Sequence, residues 1–163
     1  MEEKTIYRKK DELGRTHFAH DFGYWYITAG TEDDYDAVDV YMTAKTHPDR
    51  TYSVEVKDYT NSDYERPYSK FTWNGKDYGY QIDFEKTDKL LRKWVEEGRI
   101  PIVYARFSDI TLVWDLRFIS VDQRKKQVWT NADGQHYGEK KELTWQTYLY
   151  RSEAVWEKTT EKI

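Results

Sequence analysis

The feature that most constrains the fold is the alternation in Tyr52-Ser-Val-Glu-Val-Lys57. A β-strand sends successive side chains to opposite faces, so Tyr52, Val54 and Val56 share one face while Ser53, Glu55 and Lys57 share the other. Glu55 and Lys57 then stand about 6–7 Å apart along the strand. Upstream, Val38-Asp-Val-Tyr-Met42 reads as a partner strand, joined through the turn residues Thr46-His-Pro-Asp-Arg50. The same rule sets Asp39 opposite the apolar trio Val38, Val40 and Met42. Two carboxylates and one ammonium are therefore expected on one side of a buried sheet, where uncompensated charge is costly.

Composition bounds what surrounds this pair of strands. The chain has 163 residues, enough for one domain with a core, and its 7 Trp, 15 Tyr and 6 Phe offset a charged fraction of 34%. With no cysteine, disulfides and thiolate metal sites are excluded. The histidines are His17, His20, His47 and His136, and none falls into a zinc-ligand spacing. His17 and His20 are expected on a solvated surface. A net charge of −4 does not mark the whole chain as a polynucleotide binder, which leaves that role to local patches. No apolar run approaches the roughly 18–20 residues of a membrane span and no signal-peptide pattern opens the chain, so a cytoplasmic protein with no membrane partner is expected.

Residues 1–20 begin acidic and continue basic, as a helix favours, with Gly14 as its expected stop. Tyr24-Trp-Tyr-Ile-Thr28 is a strand candidate between Gly23 and Gly30, and residues 31–36 form an acidic turn. Residues 60–80 read as a long polar and aromatic loop, with Asn74-Gly75 closing a small hairpin. Within it Arg66, Lys70 and Trp73 suit backbone contact and base stacking, against the plainer reading of a loop pinned by its own aromatics. Residues 84–98 form the clearest helix, with Leu90, Leu91, Trp94 and Val95 as its apolar stripe and Gly98 as its stop. Lys86, Lys89 and Lys93 fall on another face, ordinarily a solvated one, and Lys89 is a candidate DNA contact. Strands follow at 101–107 and 111–116, so this helix is a crossover between parallel neighbours. The tail suggests a strand at 128–130, a turn at 131–134, a strand at 143–150 and a short helix near 152–158. Arg124-Lys125-Lys126 reads as a solvated turn.

An acid on one strand followed by Glu-x-Lys on the next resembles the PD-(D/E)XK nuclease superfamily, with Asp39, Glu55 and Lys57 as the matching residues. Glu-x-Lys recurs at Glu2-Glu-Lys4 and Glu139-Lys-Lys141, but only Glu55-Val-Lys57 sits in an alternating apolar strand preceded by an acid, with fifteen residues between Asp39 and Glu55. The family's proline before the first acid is replaced by Val38. The plainer alternative is a salt bridge on a solvated sheet face. The resemblance implies an α/β, restriction endonuclease-like core: a central mixed sheet of four to five strands flanked by helices. One domain is expected over 1–163, with its core about 1–118 and a small β-rich C-terminal extension about 119–163.

It further implies a Mg²⁺ site, with Mn²⁺ as substitute, held by Asp39, Glu55 and the carbonyl of Val56. Magnesium takes oxygen ligands and keeps several waters, and a bound divalent ion both polarises a phosphate and acidifies a water. Lys57 would orient that water or offset charge growing on the phosphate. Relatives carry a further acid from the first helix, for which Glu3 and Glu12 are candidates, and a polar residue early in the crossover helix, for which Lys86 and then Asp83 are candidates. The implied activity is DNA phosphodiester hydrolysis by a small resolvase-like, repair or phage-type enzyme, and the resemblance extends to homodimers. The alternatives are a non-catalytic nucleic-acid or protein binding module that keeps the fold and, more distantly, a phage or mobile-element structural protein.

Overall fold

The computed structural model describes residues 2–30, 38–61, 65–131 and 141–161. Helix α1 (Glu2–Phe22) leads into β1 (Tyr26–Gly30), β2 (Val40–Ala44) and β3 (Thr51–Asp58). These three strands form an antiparallel meander. A 3-10 turn (Tyr68–Phe71), the hairpin β4 (Thr72–Trp73) and β5 (Lys76–Asp77), and β6 (Tyr80–Asp83) lead to helix α2 (Phe84–Glu97). Next come β7 (Ile100–Arg106), β8 (Ile110–Asp115), the short α3 (Val121–Arg124), β9 (Lys125–Asn131), β10 (Lys141–Leu149) and β11 (Trp156–Thr159). No described helix is long and apolar enough to cross a membrane.

The main sheet is mixed and has the order β1-β2-β3-β7-β8-β11, six strands rather than the four to five expected. The sixth comes from the tail. The segment near 152–158, expected to be helical, instead forms a 3-10 turn (Arg151–Glu153) and then β11, which pairs antiparallel with β8. Alternation in Trp156-Glu-Lys-Thr159 suits an edge strand better than a helix, so residues beyond 118 contribute to the central sheet itself. The remainder of the tail builds a second sheet, β6-β10-β9, with the strands expected around 128–130 and 143–150 at its edge and centre respectively. Lys125 and Lys126 begin β9, and Arg124 pairs with Glu153, so that basic cluster is not a free turn.

β3 and β7 run parallel, joined across α2 as a crossover requires, with Glu55 level with Val103. The helices take opposite faces of the sheet. On one, Val40, Met42, Val54, Ile102 and Tyr104 pack with Phe18 of α1. On the other, Val103, Ala105, Leu112 and Trp114 pack with Leu90 of α2. Of the stripe expected on α2, Leu90 is buried together with Thr87, whereas Val95 is exposed.

Helix α1 does not stop at Gly14. A Cβ there would meet Val56 Cγ1 at 3.0 Å, so the glycine lets the helix lie close against β3, and the chain turns only after Phe22. This closeness also buries His17, which sequence placed on the surface. Val38 departs from the expected parity, packing on the α2 side while Val40 and Met42 pack on the α1 side, because β2 begins only at Val40. Much of the 60–80 loop is pinned by its own aromatics: Tyr59, Tyr68, Phe71 and Tyr80 all pack around the buried Phe107. Asn74-Gly75 closes the β4–β5 hairpin with both residues at positive φ, as that turn demands. The acidic turn at 31–36 and most of the turn at 131–134 lie outside the described residues.

Candidate active site

The site is built on β3 and the chain immediately before β2. Asp39 is tied to β3 through the backbone, its N–H donating to the Val54 carbonyl at 3.1 Å. Its side chain reaches forward, with Oδ2 accepting the Val56 N–H at 2.8 Å. Asp39 is therefore held beside Glu55 by the start of the β2–β3 ladder, one residue short of the strand in which sequence placed it. The Val56 backbone belongs to the site through this N–H.

Glu55 points to the α2 face and is 1% exposed. Lys57 Nζ, two residues on, lies 3.2 Å from Glu55 Oε1. From the first turn of α2, Lys86 Nζ lies 3.2 Å from the same oxygen. Neither approach has hydrogen-bond geometry, and among the described residues both Glu55 oxygens lack a hydrogen bond. Every orphaned buried side-chain atom among the described residues is an oxygen on this face of β3, the third being Ser53 Oγ. Native structures pair nearly all such groups, so a buried carboxylate with two ammonium neighbours and no hydrogen bond is an unusual feature of this sheet face.

Electrostatics follow from the crowding. Burial, then the nearby Glu55, push the Asp39 carboxyl up to about 7, against the opposing pull of the Val56 N–H and Lys57. Burial is the largest single influence and works against the charge of Lys57, but Glu55, Tyr59 and Asp39 together outweigh it and hold the ammonium above its ordinary value. Farther along the same face Tyr59 bonds the buried Tyr80, hydroxyl to hydroxyl, at 2.6 Å. The Arg66 guanidinium lies 5.3 Å from the Tyr59 ring, which brings this exposed cation to the rim.

The structure gathers Asp39, Glu55, Lys57 and Lys86, and leaves other expected residues elsewhere. Asp83 is turned to the second sheet, where Oδ1 accepts from Gln146 Nε2 at 2.6 Å. Glu12 is exposed on α1, the helix that covers the opposite sheet face, so it does not complete the site. The side chain of Glu3 lies outside the described residues. Lys89 is an exposed helix-face cation 3.5 Å from Glu85, the plainer reading of that stripe. Lys70 and Trp73 are exposed on the segment over the aromatic cluster, Trp73 at 69%. Sequence reasoning missed Tyr59 and Tyr80, although the parity of residues 55, 57 and 59 already set Tyr59 on the face of Glu55.

Among the described residues no three His, Cys, Asp or Glu side chains converge as a ready-made cation cage. Two carboxylates nevertheless fit Mg²⁺, which is commonly held by one or two of them, with water and substrate phosphate filling the other positions. A divalent cation between the two acids would oppose the burial and the Glu55 charge that together raise the Asp39 carboxyl. Compared with protein-family models, with curated proteins and with solved structures, the chain matches none.

Proposed function

We propose that the protein is a metal-dependent nuclease that hydrolyses DNA phosphodiester bonds, a small enzyme of the resolvase-like, repair or phage type. The observation that carries this reading is the buried Glu55 carboxylate, without a hydrogen bond, beside Asp39 and within 3.2 Å of two ammonium groups. The order of elements supports it: a helix, a three-strand meander bearing the acids and lysine, a crossover helix and a parallel strand. The resemblance to PD-(D/E)XK nucleases implies a helix and a parallel strand after the motif in this order, within a smaller sheet of four to five strands.

Asp39 and Glu55 would hold the ion, together with the carbonyl of Val56. When bound, Mg²⁺ or Mn²⁺ supplies Lewis-acid polarisation of the scissile phosphate and acidifies a water. Lys57 and Lys86 carry positive charge to the mouth of the site, where each can neutralise a non-bridging phosphate oxygen as its charge grows. Lys57, held in its charged form, acts as a fixed cation and orienting donor rather than as a base. Arg66 at the rim, with Lys70 and the exposed Trp73 farther along the segment, offers charge and a stacking surface to the rest of the polynucleotide.

The test is cleavage of linear, supercoiled and branched DNA with Mg²⁺ or Mn²⁺. Turnover is expected with either metal, stopped by chelation, and abolished by Asp39→Ala or Glu55→Ala in folded protein. Full activity in either variant removes the mechanism. Zero turnover on every DNA and RNA substrate turns the reading to a binding module that keeps the architecture.

A further inference from the structure

The two edges of the main sheet are protected differently. β11, Trp156-Glu-Lys-Thr159, carries two charges, the usual device that keeps an edge strand from pairing with another chain. β1, Tyr26-Ile-Thr-Ala-Gly30, carries neither charge nor proline, and among the described residues it has a neighbour, β2, on one side alone. Around it the apolar residues are open: Tyr24 is 79% exposed, Trp25 62% and Ile27 61%. An uncharged open edge flanked by exposed aromatics is a surface suited to an added strand.

The register with β2 shows which backbone groups are available. The Lys45 N–H donates to the Trp25 carbonyl at 3.1 Å, so the hydrogen-bonded pairs with β2 fall at Trp25, Ile27 and Ala29. Tyr26, Thr28 and Gly30 therefore turn their N–H and C=O groups outward. These three positions are symmetric about Thr28. Set antiparallel against a second copy, Thr28 meets Thr28, Tyr26 meets Gly30 and Ile27 meets Ala29. Each outward N–H then has a carbonyl opposite, and each large side chain faces a small one. An aromatic across from an edge glycine is a favourable cross-strand pair.

We propose that β1 is a self-docking edge: two copies pair their β1 strands antiparallel about a two-fold axis at Thr28, joining two six-stranded sheets into one continuous sheet. The occupant is a second copy because the strand is complementary to itself in both hydrogen bonding and side-chain size. The assignment stands independently of any nuclease activity.

The chain has no native cysteine, which makes the geometry directly testable. Hydrogen-bonded antiparallel partners have Cα atoms about 5.5 Å apart, inside the range a disulfide spans. Under mild oxidation, Thr28→Cys is expected to cross-link to itself, whereas Val155→Cys, exposed beside the opposite edge, is not. By light scattering over a dilution series, the unmodified full chain is expected at twice its 19.8 kDa mass. Ile27→Lys is expected to weaken the dimer about tenfold, since it removes the Ile27–Ala29 contacts and sets two like charges diagonally across the two-fold axis, with its circular dichroism unchanged. Val155→Lys should leave the dimer intact. A chain monomeric throughout the series overturns the proposal. So does a dimer that Ile27→Lys does not weaken, or cross-linking no greater in Thr28→Cys than in Val155→Cys.

Discussion

β3 carries two buried charge clusters back to back, and they are finished differently. On the α1 face, Asp58 accepts from the Thr60 N–H at 2.9 Å and the Thr60 hydroxyl at 2.5 Å, and meets His17 Nδ1 at 2.5 Å. Arg106 donates to the Thr60 hydroxyl at 2.5 Å and also to the Glu161 carbonyl. This network binds α1, β3, β7 and the chain after β11 together, and a buried ion cluster so fully bonded can be structural. On the α2 face, Glu55 is equally buried and has ion-pair neighbours but no hydrogen bond. Neighbouring residues of one strand thus give a completed charge cluster and an incomplete one. Burial alone does not separate these two acids, whereas their bonding does.

Replacing each acid by its amide breaks or confirms this contrast. Glu55→Gln is expected to lower metal-dependent cleavage at least ~1,000-fold, about 4 kcal/mol of transition-state stabilisation, without lowering the thermal midpoint. Asp58→Asn is expected to do the reverse, costing about 3 kcal/mol in urea unfolding because His17 Nδ1 and the Thr60 N–H and hydroxyl lose their buried carboxylate partner. Cleavage per folded molecule should stay within about twofold of the parent, since the Asp58 side chain lies on the other face. A Glu55→Gln protein that unfolds, beside a fully stable Asp58→Asn protein, would invert the assignment.

The pH dependence of stability sharpens the same comparison. Burial, and then the charge of Glu55, raises the Asp39 carboxyl from 3.8 to about 7, so the folded state binds this proton more tightly than the unfolded chain does. The contribution is fully present below the unfolded value and disappears as pH rises through the folded one, so metal-free stability should fall between about pH 4 and 7. A shift of this size corresponds to ~4 kcal/mol for an unscreened group, and the residual exposure of Asp39 reduces the expectation to about 2 kcal/mol. Urea unfolding in chelator at pH 5 and 8 measures it. Asp39→Asn should flatten the difference, and an unchanged slope in that variant would place the titrating group elsewhere.

Alternation in Tyr52–Lys57 was enough to set Glu55 and Lys57 on one face, and the Leu90-centred stripe with Gly98 located the crossover helix and hence the parallel β3–β7 pair. These are local periodicities, which a strand or helix enforces residue by residue. The misreadings share a different cause. Gly14 looked like a helix stop because its role, contact with Val56, lies 42 residues away in sequence. His17 looked solvated because the Asp58 and Arg106 that bury it come from two other strands. β11 looked helical because a four-residue edge strand is defined by its partner β8 more than by its own pattern. Lys86 was only a secondary candidate, since no spacing rule predicts that the first turn of α2 reaches the carboxylate of Glu55.

Lys86 gives the smallest and most discriminating test. Its ammonium and that of Lys57 share one Glu55 oxygen, so removing either leaves the buried acid half compensated. Lys86 belongs to α2, however, and can be changed without touching β3. Lys86→Gln is expected to slow cleavage about tenfold and to cost about 1 kcal/mol of stability, because a partly exposed ion pair contributes little beyond that. If the stability term arises from Glu55, it should vanish when Lys86→Gln is made in the Glu55→Gln background, giving a coupling energy close to the whole single-variant loss. Equal losses in both backgrounds would mean that Lys86 stabilises α2 by other contacts, and that Lys57 alone balances the incomplete cluster.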